Sequence, residues 1–227
     1  MLPDISGIII IAGNYGSGKS ETAVNLAAVS RKSGKSVKIT DLDLVNPYFR
    51  TREAQKPLED LGVEVVLPDR KYMHADLPIL TPAVADMIKN PAEVTILDAG
   101  GNDVGVRVIA ALADGLKKSH VKLLMVINSL RPDTGDVQGC LRIKAEIEAA
   151  AKLPVTGLVS NANLLDETTP QIIYDGYNLV TRVSEATNLP IDFLTASTRL
   201  VPQLDPERIC CPILPIDRLL APCWVRT

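Results

Sequence analysis

The sequence predicts an α/β domain: a three-layer, mostly parallel sheet of about seven strands with helices on both faces. Three observations carry this. Strand-length apolar runs alternate with helix-length segments along most of the chain. The first run, residues 7–12 (GIIIIA), is β-branched or apolar throughout, as a strand buried on both faces must be. Asp41, Asp98, Asn128 and Asn161 all fall where such runs end, the edge of a parallel sheet at which ligands bind.

Taken in order, the first strand leads into a helix over residues 19–32, with Ala23, Leu26, Ala27 and Ser30 on one face. Residues 36–40 form a second strand that ends at Asp41, and 63–67 a third. Thr81 followed by Pro82 reads as cap and first turn of a short helix over 81–89. Residues 93–97 are a strand ending at Asp98, 104–117 a helix, and 121–127 a strand ending at Asn128. The Arg131-Pro132-Asp133 turn opens a long helix over 134–151, and 155–160 is a strand ending at Asn161. Thr169 and Pro170 cap a helix running to about 187. Residues 191–195 make the last strand of a single domain with its core over about 7–202, and 203–227 are read as a proline-rich tail.

A chain of 227 residues can bury a sizeable core in one such domain. Its net charge of −3 gives no electrostatic case for nucleic acid or an anionic membrane, so neither is expected as a partner. No apolar stretch approaches the ~18 residues of a membrane span. The first apolar run is short and has no basic residues before it, unlike a signal peptide, so a cytoplasmic location is expected. In that compartment Cys140, Cys210, Cys211 and Cys223 are expected as thiols or metal ligands rather than disulfides. Cys140, among Val137, Leu141 and Lys144 of a helix, reads as a buried core thiol. Cys210 and Cys211 with Cys223 could hold a soft metal, although no histidine lies near them. His74 and His120 stand alone and read as surface residues.

The chemistry concentrates in the first loop. Gly13-Asn14-Tyr15-Gly16-Ser17-Gly18-Lys19-Ser20 matches G-x-x-x-x-G-K-[ST], between a buried strand and an amphipathic helix. The glycines let successive amides curl around phosphate oxygens, and the helix beginning near Gly18, with Glu21 in its first turn, adds its positive end. Lys19 reaches the β- and γ-phosphates, and the Ser20 hydroxyl ligates Mg2+.

Two carboxylate stations follow. In Thr40-Asp41-Leu42-Asp43 the strand alternation points Asp41 and Asp43 the same way. Asp43 is the candidate for orienting or deprotonating an attacking water, and Asp41 for reaching magnesium through water. Asn46-Pro47-Tyr48-Phe49-Arg50 after them looks like a switch segment. The apolar strand ending in Asp98-Ala99-Gly100-Gly101 has the Walker B pattern, whose carboxylate holds a water on magnesium while a following glycine offers its amide to the γ-phosphate.

A strand, a P-loop, an aspartate pair ending the next strand and then Asp-x-Gly-Gly together resemble the MinD/ParA-like P-loop ATPases of the SIMIBI class. That group includes the nitrogenase iron protein, the CooC-type nickel-insertion ATPases and the cobyrinate amidase-type domains. The resemblance covers residues 8 to about 196. It implies ATP and Mg2+ as ligands and hydrolysis of the β–γ phosphoanhydride. It implies Asp43 as the water-activating residue, with Asp41 its neighbour, and Gly101 as the glycine of the second switch. It further implies Asn161 as the asparagine that contacts adenine, with another base-contact loop over 196–202. Partners implied are a client protein that the sequence does not name and a nucleotide-dependent homodimer.

The chain departs from the group in one charge. Many members carry a signature lysine early in the loop, which reaches the partner's phosphate across a dimer. Here the aligned residue is Asn14, followed by Tyr15 where glycine is usual, and a neutral amide supplies no such charge. Lys71, Arg50 and Arg107 are cations that could substitute, and the sequence selects none of them. The charged loop over 68–80 opens on the same edge and could receive a partner or second substrate. Three functions follow: an ATPase switch serving metallocentre or enzyme maturation, an ATP-dependent small-molecule kinase or ligase of the dethiobiotin synthetase or cobyrinate amidation type, or a binding-only module that senses nucleotide without turnover. Pro215 and Pro222 in the tail argue against a MinD-like terminal membrane helix.

Overall fold

Four consecutive isoleucines, Ile8 to Ile11, are almost fully excluded from solvent and form the centre of the sheet. They belong to β1 (Gly7–Gly13) of a computed structural model that describes residues 1–42, 54–66, 82–100, 103–116 and 120–220. The chain continues through α1 (Lys19–Lys32), β2 (Val37–Asp41), α2 (Gln55–Asp60), β3 (Glu64–Val66), α3 (Pro82–Lys89), β4 (Val94–Asp98) and α4 (Asp103–Leu116). Then follow β5 (Val121–Ile127), α5 (Val137–Ala151), β6 (Gly157–Ser160), α6 (Pro170–Thr187), β7 (Ile191–Ser197) and β8 (Ile213–Ile216). The strands form one sheet of eight in the order β3-β2-β4-β1-β5-β6-β7-β8, every described pair parallel.

Alternation along β1 divides the core. Ile8 and Ile10 pack with residues of α3, α4, α5 and α6, including Met87, Ile109, Ile143 and Val180. Ile9 and Ile11 pack on the other face with Ala23, Val24, Leu26 and Ala27 of α1 and Leu58 of α2. This is the expected three-layer α/β arrangement. Each buried isoleucine contributes roughly 1.5–3 kcal/mol of transfer free energy. The strand order reverses at β1: β4, β2 and β3 lie to one side and β5 to β8 to the other. The open crevice of such a sheet lies at that reversal, beyond the strands' carboxyl ends.

The expected elements lie within three residues of their bounds, two of these shifts have a local cause, and two further elements were not expected. The helix expected over 134–151 starts at Val137, because Pro132–Thr134 closes a separate 3-10 turn and Asp136 caps the helix, accepting from Gly139 N at 2.7 Å. The strand expected over 155–160 is confined to Gly157–Ser160. The sequence reading did not anticipate α2. The strand over 191–195 is not the last: β8 emerges from the segment read as a tail and pairs with β7, which carries the sheet beyond residue 202. Pro215, which argued against a terminal membrane helix, sits inside β8. An edge strand tolerates it, since its missing N–H faces no neighbour. Among the described residues no helix is long and apolar enough to cross a membrane.

Candidate nucleotide site

The loop from Gly13 to Ser20 joins the end of β1 to the start of α1. Gly18 takes the position before the first helical turn with φ +87°, and no side chain caps the helix there. The first amides of α1 are therefore left to a ligand, and the helix end is electropositive. A side chain at residue 18 would be strained twice, by its backbone angle and by collision of its Cβ with Asn161 Nδ2. Lys19 is nearly buried, and its Nζ donates to the Asn14 carbonyl at 2.9 Å, arching over the loop.

The carboxylates meet this loop through register. Asp41 and Asp98 are direct partners in the β2–β4 ladder, and Ile11 is the partner of Asp98 on β1. Paired residues of parallel strands point to the same face. Since Ile11 packs under α1, both aspartates point to the face on which Lys19 and Ser20 begin the helix. Each aspartate is 1% exposed. Two carboxylates side by side in a buried site repel unless a cation stands near them, so the donor set fits a hard divalent ion with oxygen ligands. An uncapped helix N-terminus, a lysine and this pair together fit a magnesium nucleotide.

Other expected site residues are distributed as follows. Asp43 and Gly101 lie outside the described residues, as do Arg50, Lys71, His74, Cys223 and the loop over 68–80; of Arg107 only the helical backbone is described. Tyr15 is 71% exposed on the rim of the loop. Asn161 stands behind the loop: its Nδ2 donates to the Ser17 carbonyl at 2.6 Å, and its Oδ1 accepts from the Thr195 hydroxyl. In this structure it braces the phosphate loop against β7. His120 is exposed and Cys140 fully buried, where burial pushes its thiol up to about 11. Cys210 is exposed, and among the described residues no cluster of three or more His, Cys, Asp or Glu could hold a metal.

Glu21 was grouped with the loop, but its carboxylate turns to the C-terminal segment. It accepts from Leu219 N at 2.7 Å and from Asn25 Nδ2 at 3.2 Å. Asn25 exchanges two further hydrogen bonds with the backbone of Asp217, and Arg218 forks onto Asp166 at 2.7 and 3.1 Å. A strap over 217–219 thus crosses the first turns of α1. Burial raises the Glu21 pKa above its ordinary 4.5, against the lowering effect of hydrogen bonds from Leu219, Leu220 and Asn25 and of the Arg218 charge. Stability from this group is full below pH 4.5 and is lost as pH rises through the elevated folded value. Glu21→Gln keeps an acceptor for Leu219 and removes the ionisation. It should melt with wild type near pH 4 and above it at pH 7. A melting difference that does not change with pH would show that burial of this carboxyl carries no such cost.

One contact was missed entirely. Arg131 Nε donates to the Gly16 carbonyl at 2.9 Å, and Asn14 Nδ2 donates to Asp133 at 3.1 Å, so the turn after β5 is docked on the phosphate loop. The Arg-Pro-Asp motif was visible but read only as a helix start. That β5 adjoins β1 is a fact of topology.

No protein-family model and no curated protein sequence matches the chain. Solved structures do. FtsY from Thermotoga maritima matches with a TM-score of 0.56 at 22% identity, over 86% of this chain and 63% of that one. Chloroplast FtsY from Physcomitrella patens matches with a TM-score of 0.56 at 22% identity, over 84% and 58%. The signal recognition particle 54 kDa protein from Aeropyrum pernix K1, in complex with GDP, matches with a TM-score of 0.54 at 21% identity, over 86% and 42%. The chain has the α/β P-loop NTPase fold. It spans less than two thirds of each of these proteins, and at such identities the likeness is one of fold. Within that fold Gly13–Ser20 lies between the first strand and the first helix.

Proposed function

We propose that this chain is a magnesium-dependent nucleotide switch of the MinD/ParA-like SIMIBI class, which binds ATP, hydrolyses its β–γ anhydride and so changes its grip on a client protein. The observation that carries this is the convergence at one sheet edge of an uncapped helix N-terminus, Lys19 and the register-paired Asp41 and Asp98. Ser20 and Asp98 would hold magnesium, with Asp41 acting through water. The ion would neutralise charge on the phosphates. Asp43 remains the proposed residue for the attacking water.

The choice of adenine comes from the resemblance. The Aeropyrum protein holds GDP, so the base is tested directly. The proposed client role, in metallocentre or enzyme maturation, comes from the resemblance.

Phosphate release from ATP and GTP, with magnesium and with EDTA and without any acceptor, tests the reading. Magnesium-dependent release from ATP is expected, at least tenfold faster than from GTP. Light scattering on the same samples should show a dimer with magnesium-ATP and a monomer with magnesium-ADP. No calorimetric binding of either nucleotide would refute the site. Binding without release would turn the reading to the kinase or ligase alternative.

A further inference from the structure

The turn after β5 is more firmly built than a connection requires. Asn128, 2% exposed, accepts at Oδ1 from Leu130 N at 3.1 Å and Asn163 N at 3.4 Å, and donates from Nδ2 to Asn163 O at 3.2 Å. Its carbonyl accepts from Arg131 N at 3.1 Å and from the buried Thr134 hydroxyl at 2.7 Å. Pro132 keeps Arg131 extended, at φ −99° and ψ 140°. Such a frame fixes the side chains it presents.

Two of them are laid on the phosphate loop. Asp133 accepts from Asn14, while its other oxygen lies 4.0 Å from Arg142 Nη2. The Arg131 guanidinium packs against Gly16: a Cβ there would stand 3.1 Å from Nε and 3.3 Å from Cζ. Gly16 also needs its positive φ of 70°. The bond to the Gly16 carbonyl uses only Nε–H. Among the described residues the two terminal nitrogens of Arg131 have no partner, and the residue is exposed. The guanidinium is thus pinned to the rim of the loop, with the fork that fits phosphate oxygens still open.

We infer that Arg131 is a phosphate-recognition residue, which brings positive charge to the terminal phosphate of a nucleoside triphosphate. This rests on the nucleotide-switch reading above. In hydrolysis a water oxygen bonds to the γ-phosphorus and the bond to the β–γ bridging oxygen breaks. That oxygen's electron pair stays on the diphosphate, and the water's proton goes to the base. Arg131 exchanges no proton; it offsets negative charge on the γ-oxygens as the group transfers. The phosphate is either that of its own nucleotide or that of a second copy facing this rim, where Tyr15 and Leu130 are exposed.

The test compares wild type with Arg131→Lys, which keeps charge and a donor, and Arg131→Gln, which keeps a donor alone. Calorimetry with ADP and with a non-hydrolysable ATP analogue is read beside phosphate release. Arg131→Gln should bind ADP within about twofold of wild type, bind the analogue at least tenfold more weakly and turn over about 100-fold more slowly. Arg131→Lys should recover part of each loss. Equal losses for ADP and analogue would make Arg131 a clamp on the loop and overturn the inference, as would no change for either. Wild type that binds no nucleotide would sink the underlying reading as well. Mixing Arg131→Gln with Lys19→Ala protein tells the two sources apart: restored turnover places Arg131 opposite the partner's nucleotide, and additive residual activity places it on its own.

Discussion

Lys19→Ala is expected to lower the affinity for ATP by at least 100-fold while leaving the protein folded. Lys19 sits where the loop turns into α1, and its Nζ is held by the Asn14 carbonyl at 2.9 Å, so the charge is already placed over the loop. Removing it takes away two charge-assisted hydrogen bonds to phosphate oxygens, each contributing about 1.5–3 kcal/mol. Each 1.4 kcal/mol is about tenfold in affinity. Melting should change little, because the core contacts of α1 begin further along, at Ala23 and Val24. Calorimetric titration decides the matter: affinity within about threefold of wild type would remove the phosphate-loop reading.

Asp98→Asn should separate binding from turnover. The amide has nearly the shape of the carboxylate and half the acceptor strength, so the 1%-exposed site can accommodate it without repacking. What changes is the charge opposite Asp41, its partner in the β2–β4 register. With one carboxylate left, the edge holds a divalent cation poorly. Phosphate release should fall by about 100-fold or more and lose its dependence on magnesium, since positioned metal and charge supply most of the catalysis in phosphoryl transfer. Binding of ATP in EDTA should stay within about threefold of wild type. A variant with the wild-type magnesium response would take Asp98 out of the metal site.

The sequence carried the features that depend on local chemistry. Four isoleucines in a row demanded a strand covered on both sides, and a glycine-rich turn ahead of an amphipathic helix demanded the loop now seen between β1 and α1. It also placed Asp41 and Asp98 at strand ends. It could not say that they are register partners, because that depends on which strands adjoin. The same gap hid Arg131: only the adjacency of β5 to β1 brings the turn after β5 over Gly16. Strand β8 was missed for a different reason. Its proline argues against a strand everywhere except at an edge, and whether a segment is an edge is settled by its neighbours. Glu21 shows the reverse error. Its place in the first turn of α1 fitted a role at the phosphates, yet its side chain is directed to Leu219.

That strap bears on how the protein is made. Asn25 and Glu21 are joined to residues that leave the ribosome last among those described, across 192 and 198 positions of chain. Contacts so distant in sequence form late, because the whole intervening loop must close first. The helix that follows the phosphate loop is translated early but is fastened only once residues 217–219 have been made. A nascent chain stalled before residue 217 would carry every residue of the loop and still lack the bonds that hold its helix start in place, so ligand binding should be acquired abruptly, as residues 217–219 emerge.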